Sequence, residues 1–122
     1  MIVDRNSVQL GSVPNVQLSG PQYNVASPVS LSNASTITPP YAPTYAIVPV
    51  TESGNVTGII LGKPTSTGAG QMITILNRSN FTVTFDVSGT SNVADGTSDV
   101  IPALCARTFV YDASTSLWYR YG

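Results

Sequence analysis

The side chains that could carry chemistry are few and widely spaced. The 122-residue chain has no histidine, one cysteine (Cys105), one lysine (Lys63) and one glutamate (Glu52). A serine or cysteine nucleophile is normally activated by a neighbouring base, most often histidine, so acyl transfer by Cys105 or a serine lacks its base. Carboxylate acid–base catalysis needs two acids facing one cleft. Beyond Asp4 and Glu52, the acids are Asp86, Asp95, Asp99 and Asp112, all in or beside turn-forming stretches, where aspartate commonly bonds its own backbone. Asp86, Asp95 and Asp99 are the one set that could gather around Ca²⁺, but that ion takes roughly six to eight oxygens and their spacing matches no calcium loop. A lone thiol cannot hold a soft metal, and Cys105 in its apolar run reads as a small buried hydrophobe. Gly62-Lys63-Pro64-Thr65 is only superficially a phosphate loop: Thr57 stands where the first glycine belongs, and Pro64 where Ser or Thr would follow the lysine. Trp118, Tyr119 and Tyr121 could stack on a sugar or a peptide. Their place in a terminal strand favours aromatics that fill a small core, with Trp118 at a subunit contact. The sequence predicts no catalytic residue, no cofactor, no metal ion and a protein that is not an enzyme.

Whatever these residues do, β-structure has to position them. Phe81, Val83, Phe85 and Val87 alternate with Thr82, Thr84 and Asp86, the period-two pattern of a half-buried strand. The polar run Asn77-Arg78-Ser79-Asn80 separates this strand from Gln71–Leu76 and predicts a hairpin over 71–87. Further strands are expected at Tyr45–Val50, where Pro49 marks an edge or bulge, and at Val56–Leu61, 100–106, 108–111 and Leu117–Tyr121. Glu52–Asn55 reads as a turn, Gly62–Gly70 and Ser88–Ser98 as loops, and Asp112–Ser116 as the closure of a last hairpin. Residues 44–122 thus read as an all-β domain, a small antiparallel β-sandwich or barrel of about seven short strands.

Residues 1–43 have a different character. They hold six of the nine prolines and two charges, Asp4 and Arg5, with aliphatic residues dispersed singly among Ser, Asn and Gln. Prolines at this spacing forbid long helices and central strands. Regular Val and Leu, with Tyr23 and Tyr41, favour an extended arm that orders on another surface over a disordered tail. A short echo, Ser7-Val-Gln-Leu-Gly and Asn15-Val-Gln-Leu-Ser-Gly, is too brief for a solenoid. Stiff Pro39-Pro40-Tyr41-Ala42-Pro43 marks the boundary.

Charged residues are 9% of the chain and hydrophobic ones 42%, against about 25% charged in an ordinary globular protein. The surface must be clothed in small polar residues or in other subunits. With net charge −1 and basic residues scattered at 5, 63, 78, 107 and 120, a nucleic-acid partner is not expected. Nor is a membrane: no stretch approaches the roughly 20 apolar residues that span one, and the start lacks the pattern of an export signal. The Asn-x-Ser/Thr matches at Asn33, Asn55, Asn77 and Asn80 read as chance in a chain of this composition. A β-domain of this size, with no disulfide, buries too little surface to be secure alone. A homo-oligomer is expected.

The C-terminal half carries Gly70-Gln71-Met72-Ile73-Thr74-Ile75-Leu76-Asn77. After a polar loop come Ala103-Leu-Cys-Ala-Arg-Thr-Phe-Val-Tyr-Asp112 and then Leu117-Trp118-Tyr119. This order, a Gly-x-x-Ile-x-Ile-x-Asn strand followed by an aromatic-Asp turn and a Trp, resembles tailed-bacteriophage capsid decoration (cement) proteins and related fibre or spike domains. The resemblance implies a small, enzymatically inert virion protein, often a homotrimer. It would be made in the host cytoplasm and bind the major capsid protein on the capsid surface. Candidate capsid or subunit contacts are Val8, Leu10, Val16, Leu18, Tyr23, Tyr41 and Trp118. The alternative is a fibre or spike domain that binds host glycan through exposed aromatics.

Overall fold

The computed structural model of the chain describes residues 23–40, 45–64 and 71–121. Ten strands run through them in two sheets, as the all-β reading expects. In β4 (Tyr45–Glu52), Ala46, Val48 and Val50 are fully buried and Tyr45, Ile47 and Thr51 half-buried, while Pro49 is buried as well. In β6 (Met72–Asn77), Ile73 and Ile75 point inward, and Thr74 between them is buried on the other face. The large sheet has the order β10 (Leu117–Tyr121), β9 (Ala106–Asp112), β6, β4 and β1 (Tyr23–Val25), with β2 (Val29–Leu31) also on β4. The small sheet is β3 (Thr36–Ile37), β5 (Val56–Leu61), β7 (Val83–Phe85) and β8 (Val100–Ile101). One core lies between them, with Phe85 and Phe109 meeting edge to face across the sheets at 5.5 Å.

The path between the sheets explains the pairing. After Leu31, Glu52 and Asn77 the chain crosses from the large sheet to the small one, so β2–β3, β4–β5 and β6–β7 form three successive turns of a flat coil. Strands of neighbouring turns therefore meet in parallel: β2 and β6 on β4, β3 and β7 on β5. Antiparallel pairing is confined to β7–β8, β6–β9 and β9–β10, so the sheets are mixed.

The hairpin expected over 71–87 is not present, because β6 and β7 lie in different sheets. Asn77 turns the corner. Its buried side chain donates to the carbonyls of Phe81 (2.7 Å) and Pro102 (3.0 Å) and accepts the Ser79 N–H (3.2 Å). Only Val83–Phe85 of the alternating run is strand; Phe81 and Val87 are exposed. The hairpin expected at the C-terminus does form, pairing Thr108–Asp112 with Leu117–Tyr121.

Part of the predicted arm belongs to the domain. β1 and β2 lie in series along one edge of β4, and β3 pairs with β5. Leu31 and Ile37 sit in the core. The boundary expected at 43–44 lies outside the described residues.

Candidate functional site

Of the predicted contact residues, Val8, Leu10, Val16, Leu18 and Tyr41 lie outside the described residues. Tyr23 opens β1, in register with Tyr45. Trp118 is 0% exposed, which corrects its assignment to a subunit contact. Its indole packs on Tyr111 with ring centres 5.1 Å apart and donates Nε1–H to the Gly62 carbonyl at 3.0 Å. Its backbone is clasped from the loop after β7, donating to the Asn92 carbonyl and accepting from the Ala94 N–H. Strand parity then puts Tyr119 and Tyr121 on the outside, Tyr121 at 66% exposure. Stacking on a ligand is left to these two tyrosines.

The outer face of the large sheet is built in rows by the strand register. Tyr45, Met72, Val110 and Tyr119 form one row across β4, β6, β9 and β10; Ile47, Thr74, Thr108 and Tyr121 form the next. No residue in either row is charged. The hydroxyls in their midst satisfy one another: Tyr45 Oη lies 2.6 Å from Thr74 Oγ1, which lies 2.7 Å from Thr108 Oγ1. Such a face offers area for burial and little polar recognition.

The corners of the coil are polar and stacked. Asn33 Oδ1 accepts the Thr57 N–H of the next turn at 3.0 Å, and Asn55 Oδ1 accepts the Thr82 N–H of the turn after that at 3.0 Å. Beside the first two corners runs a groove of about 300 Å³ lined by Ser30, Leu31, Thr51, Glu52 and Ser53. A smaller recess of about 230 Å³ adjoins it, sharing Leu31 and Ser53. Glu52 is the unexpected member: the residue is 9% exposed, and both carboxylate oxygens are buried without a hydrogen-bond partner.

The remaining ionisable groups do not converge. Among the described residues no three of His, Cys, Asp or Glu come together, so Asp86, Asp95 and Asp99 make no calcium ring. Asp86 Oδ1 binds the adjacent Val87 N–H, and Asp112 binds the Ser114 N–H and hydroxyl, as turn aspartates do. Asp99 is fully buried, with Arg120 Nη1 at 3.6 Å. Burial pushes its carboxyl above the ordinary value; Arg120 opposes this, Asp95 adds to it and Arg107 opposes it more weakly. Cys105 is exposed, against the expectation of a buried thiol. It follows the turn at Ala103–Leu104, where Leu104 takes a φ of 58°, and so lies just outside the β9 ladder.

No protein-family model, curated protein or solved structure matches the chain.

Proposed function

We propose that this chain is a structural virion protein of a tailed bacteriophage. It binds the outer surface of the capsid as a decoration protein, working as a homotrimer. The observation that supports this reading best is the pair of uncharged rows on the outer face of the large sheet, four strands wide, whose internal hydroxyls are already paired. A face of that kind gains free energy by being covered. The mechanism is mass action. A subunit that bridges neighbouring capsid proteins binds the assembled shell and not its dissociated parts, so the shell gains the free energy of binding.

Co-sedimentation of the purified protein with decoration-free capsids tests the role. Saturable binding in a fixed ratio to the major capsid protein supports it, and no binding at micromolar concentration refutes it. The fibre or spike reading draws on the exposed rings of Tyr119 and Tyr121. It requires that Tyr121→Ala abolish binding to an immobilised glycan while the fold is retained.

A further inference from the structure

We propose that the groove at the first two corners of the coil is a receptor for a cationic side chain, arginine or lysine, presented by a neighbouring protein subunit. Glu52 is the group that would receive it. The parity of β4 turns this side chain inward with Ala46, Val48 and Val50, but β4 ends there, and Glu52 is one of the five residues that line the groove. Both oxygens are shielded from solvent and unpartnered. A carboxylate held this way has given up its hydrogen bonds to water and gained none in return. None of the chain's described basic side chains supplies the missing charge: among the described residues the one ion pair joins Arg120 to Asp99. Arg78 is anchored nearby, its N–H on the Val50 carbonyl, and is exposed, yet it is not bonded to Glu52.

The lining decides between kinds of cation. Ca²⁺ requires roughly six to eight oxygens, commonly from several carboxylates, and this groove has one carboxylate among the hydroxyls of Ser30, Thr51 and Ser53. Guanidinium or ammonium needs only one carboxylate to neutralise it, and its remaining N–H groups can be met by hydroxyls. Leu31, buried in the same lining, offers the apolar contact that the aliphatic stem of such a side chain prefers. That the cation comes from a neighbouring subunit rests on the structural role proposed above; the charge preference of the groove does not.

The test is a ¹⁵N–¹H chemical-shift titration of the full chain with Nα-acetyl-arginine amide. Nα-acetyl-citrulline amide serves as the neutral isostere, and CaCl₂ is titrated in parallel. The arginine probe should move the amides of Leu31, Thr51, Glu52 and Ser53 saturably. Citrulline should bind at least about tenfold more weakly, the scale of one charge-assisted hydrogen bond, and Glu52→Gln should lose the arginine response by a similar factor. The amide dispersion of the Glu52→Gln spectrum shows that the variant is folded before it is titrated. Equal shifts with citrulline, shifts confined to other surfaces, an undiminished response in Glu52→Gln, or Ca²⁺ moving the same amides at equal concentration would each overturn the proposal. A failed titration with intact capsid binding would refute the cation receptor and leave the structural role standing. A positive titration without capsid binding would do the reverse.

Discussion

Asp99 and Asp112 have opposite fates although both are turn aspartates. Asp112 is stabilised as an anion by the Ser114 hydroxyl and N–H, and its pKa is lowered. Its contribution to stability is present above the unfolded value and is lost as pH falls through the folded one. Asp99 is raised above its ordinary 3.8, chiefly by burial. Its sign is reversed: the folded state binds the proton more tightly than the unfolded state, so the contribution is full below about pH 3.8 and is lost as pH rises through the folded pKa. Asp99→Asn should therefore gain on the wild type in urea midpoint between pH 4 and pH 7, because the variant has no charge to bury. A constant difference across that range would show that Arg120 fully compensates the burial. Trp118 belongs to the same scale. Filling the core and holding the Gly62 carbonyl, it should cost about 3–5 kcal/mol on truncation to alanine, read from the urea unfolding midpoint. A smaller loss, with the fold kept, would return Trp118 to the surface role that the sequence offered.

The coil gives the elements their logic, and it shows what was legible in the chain. The strands from β4 onward largely were: β-prone runs mark β4, β5, β6 and β10, alternation marks β7, and the Asp112–Ser116 turn marks the final hairpin, whereas β1–β3 fell inside the expected arm. Their partners were not. A polar run between two apolar stretches closes a hairpin or turns a corner with equal ease, and only the tertiary hydrogen bonds of Asn77 decide which. One signal was present and discounted. Asn33-Ala-Ser, Asn55-Val-Thr and Asn80-Phe-Thr stand at the three successive corners, each asparagine of the first two receiving the N–H of the third residue in the next triplet. Sequence matches dismissed as chance are the repeat that a parallel two-sheet coil needs. The groove was invisible for a related reason, since nothing in the sequence says that the last residue of β4 faces inward. Asn55→Ala should unseat the Thr82 N–H and destabilise the domain by about 1 kcal/mol, the net worth of one such bond; Asn55→Asp, which keeps the acceptor, should restore most of it. Equal losses in both variants would mean that the corner is held by backbone pairing alone.

At the scale of the molecule, the question is which parts the domain can spare and what its open face requires. Removing residues 1–43 would delete β1–β3 and take Leu31 and Ile37 out of the core. Two buried aliphatic side chains are worth roughly 1.5–3 kcal/mol each, a large share of the 5–15 kcal/mol that holds an ordinary domain together. Deletion to residue 43 should therefore lower the thermal midpoint severely or prevent folding; a 44–122 fragment that melts within a few degrees of the full chain would show that β1–β3 are dispensable. The proposed trimer would draw on the open face. Rows of Tyr45, Met72, Val110 and Tyr119 and of Ile47, Thr74, Thr108 and Tyr121 carry no charge to hold them in water, and the chain as a whole has little charge to spare, with 9% of its residues ionisable as Asp, Glu, Lys or Arg. Light scattering at two concentrations should give about three times the 12.8 kDa of one chain. Tyr121→Asp, at the most exposed ring of the face, should reduce that mass without lowering the fold's β-content. A trimer indifferent to Tyr121→Asp would place the subunit contact elsewhere on the molecule. A stable monomer at both concentrations would refute the proposed trimer and would mean that the two sheets suffice to hold the domain without a partner.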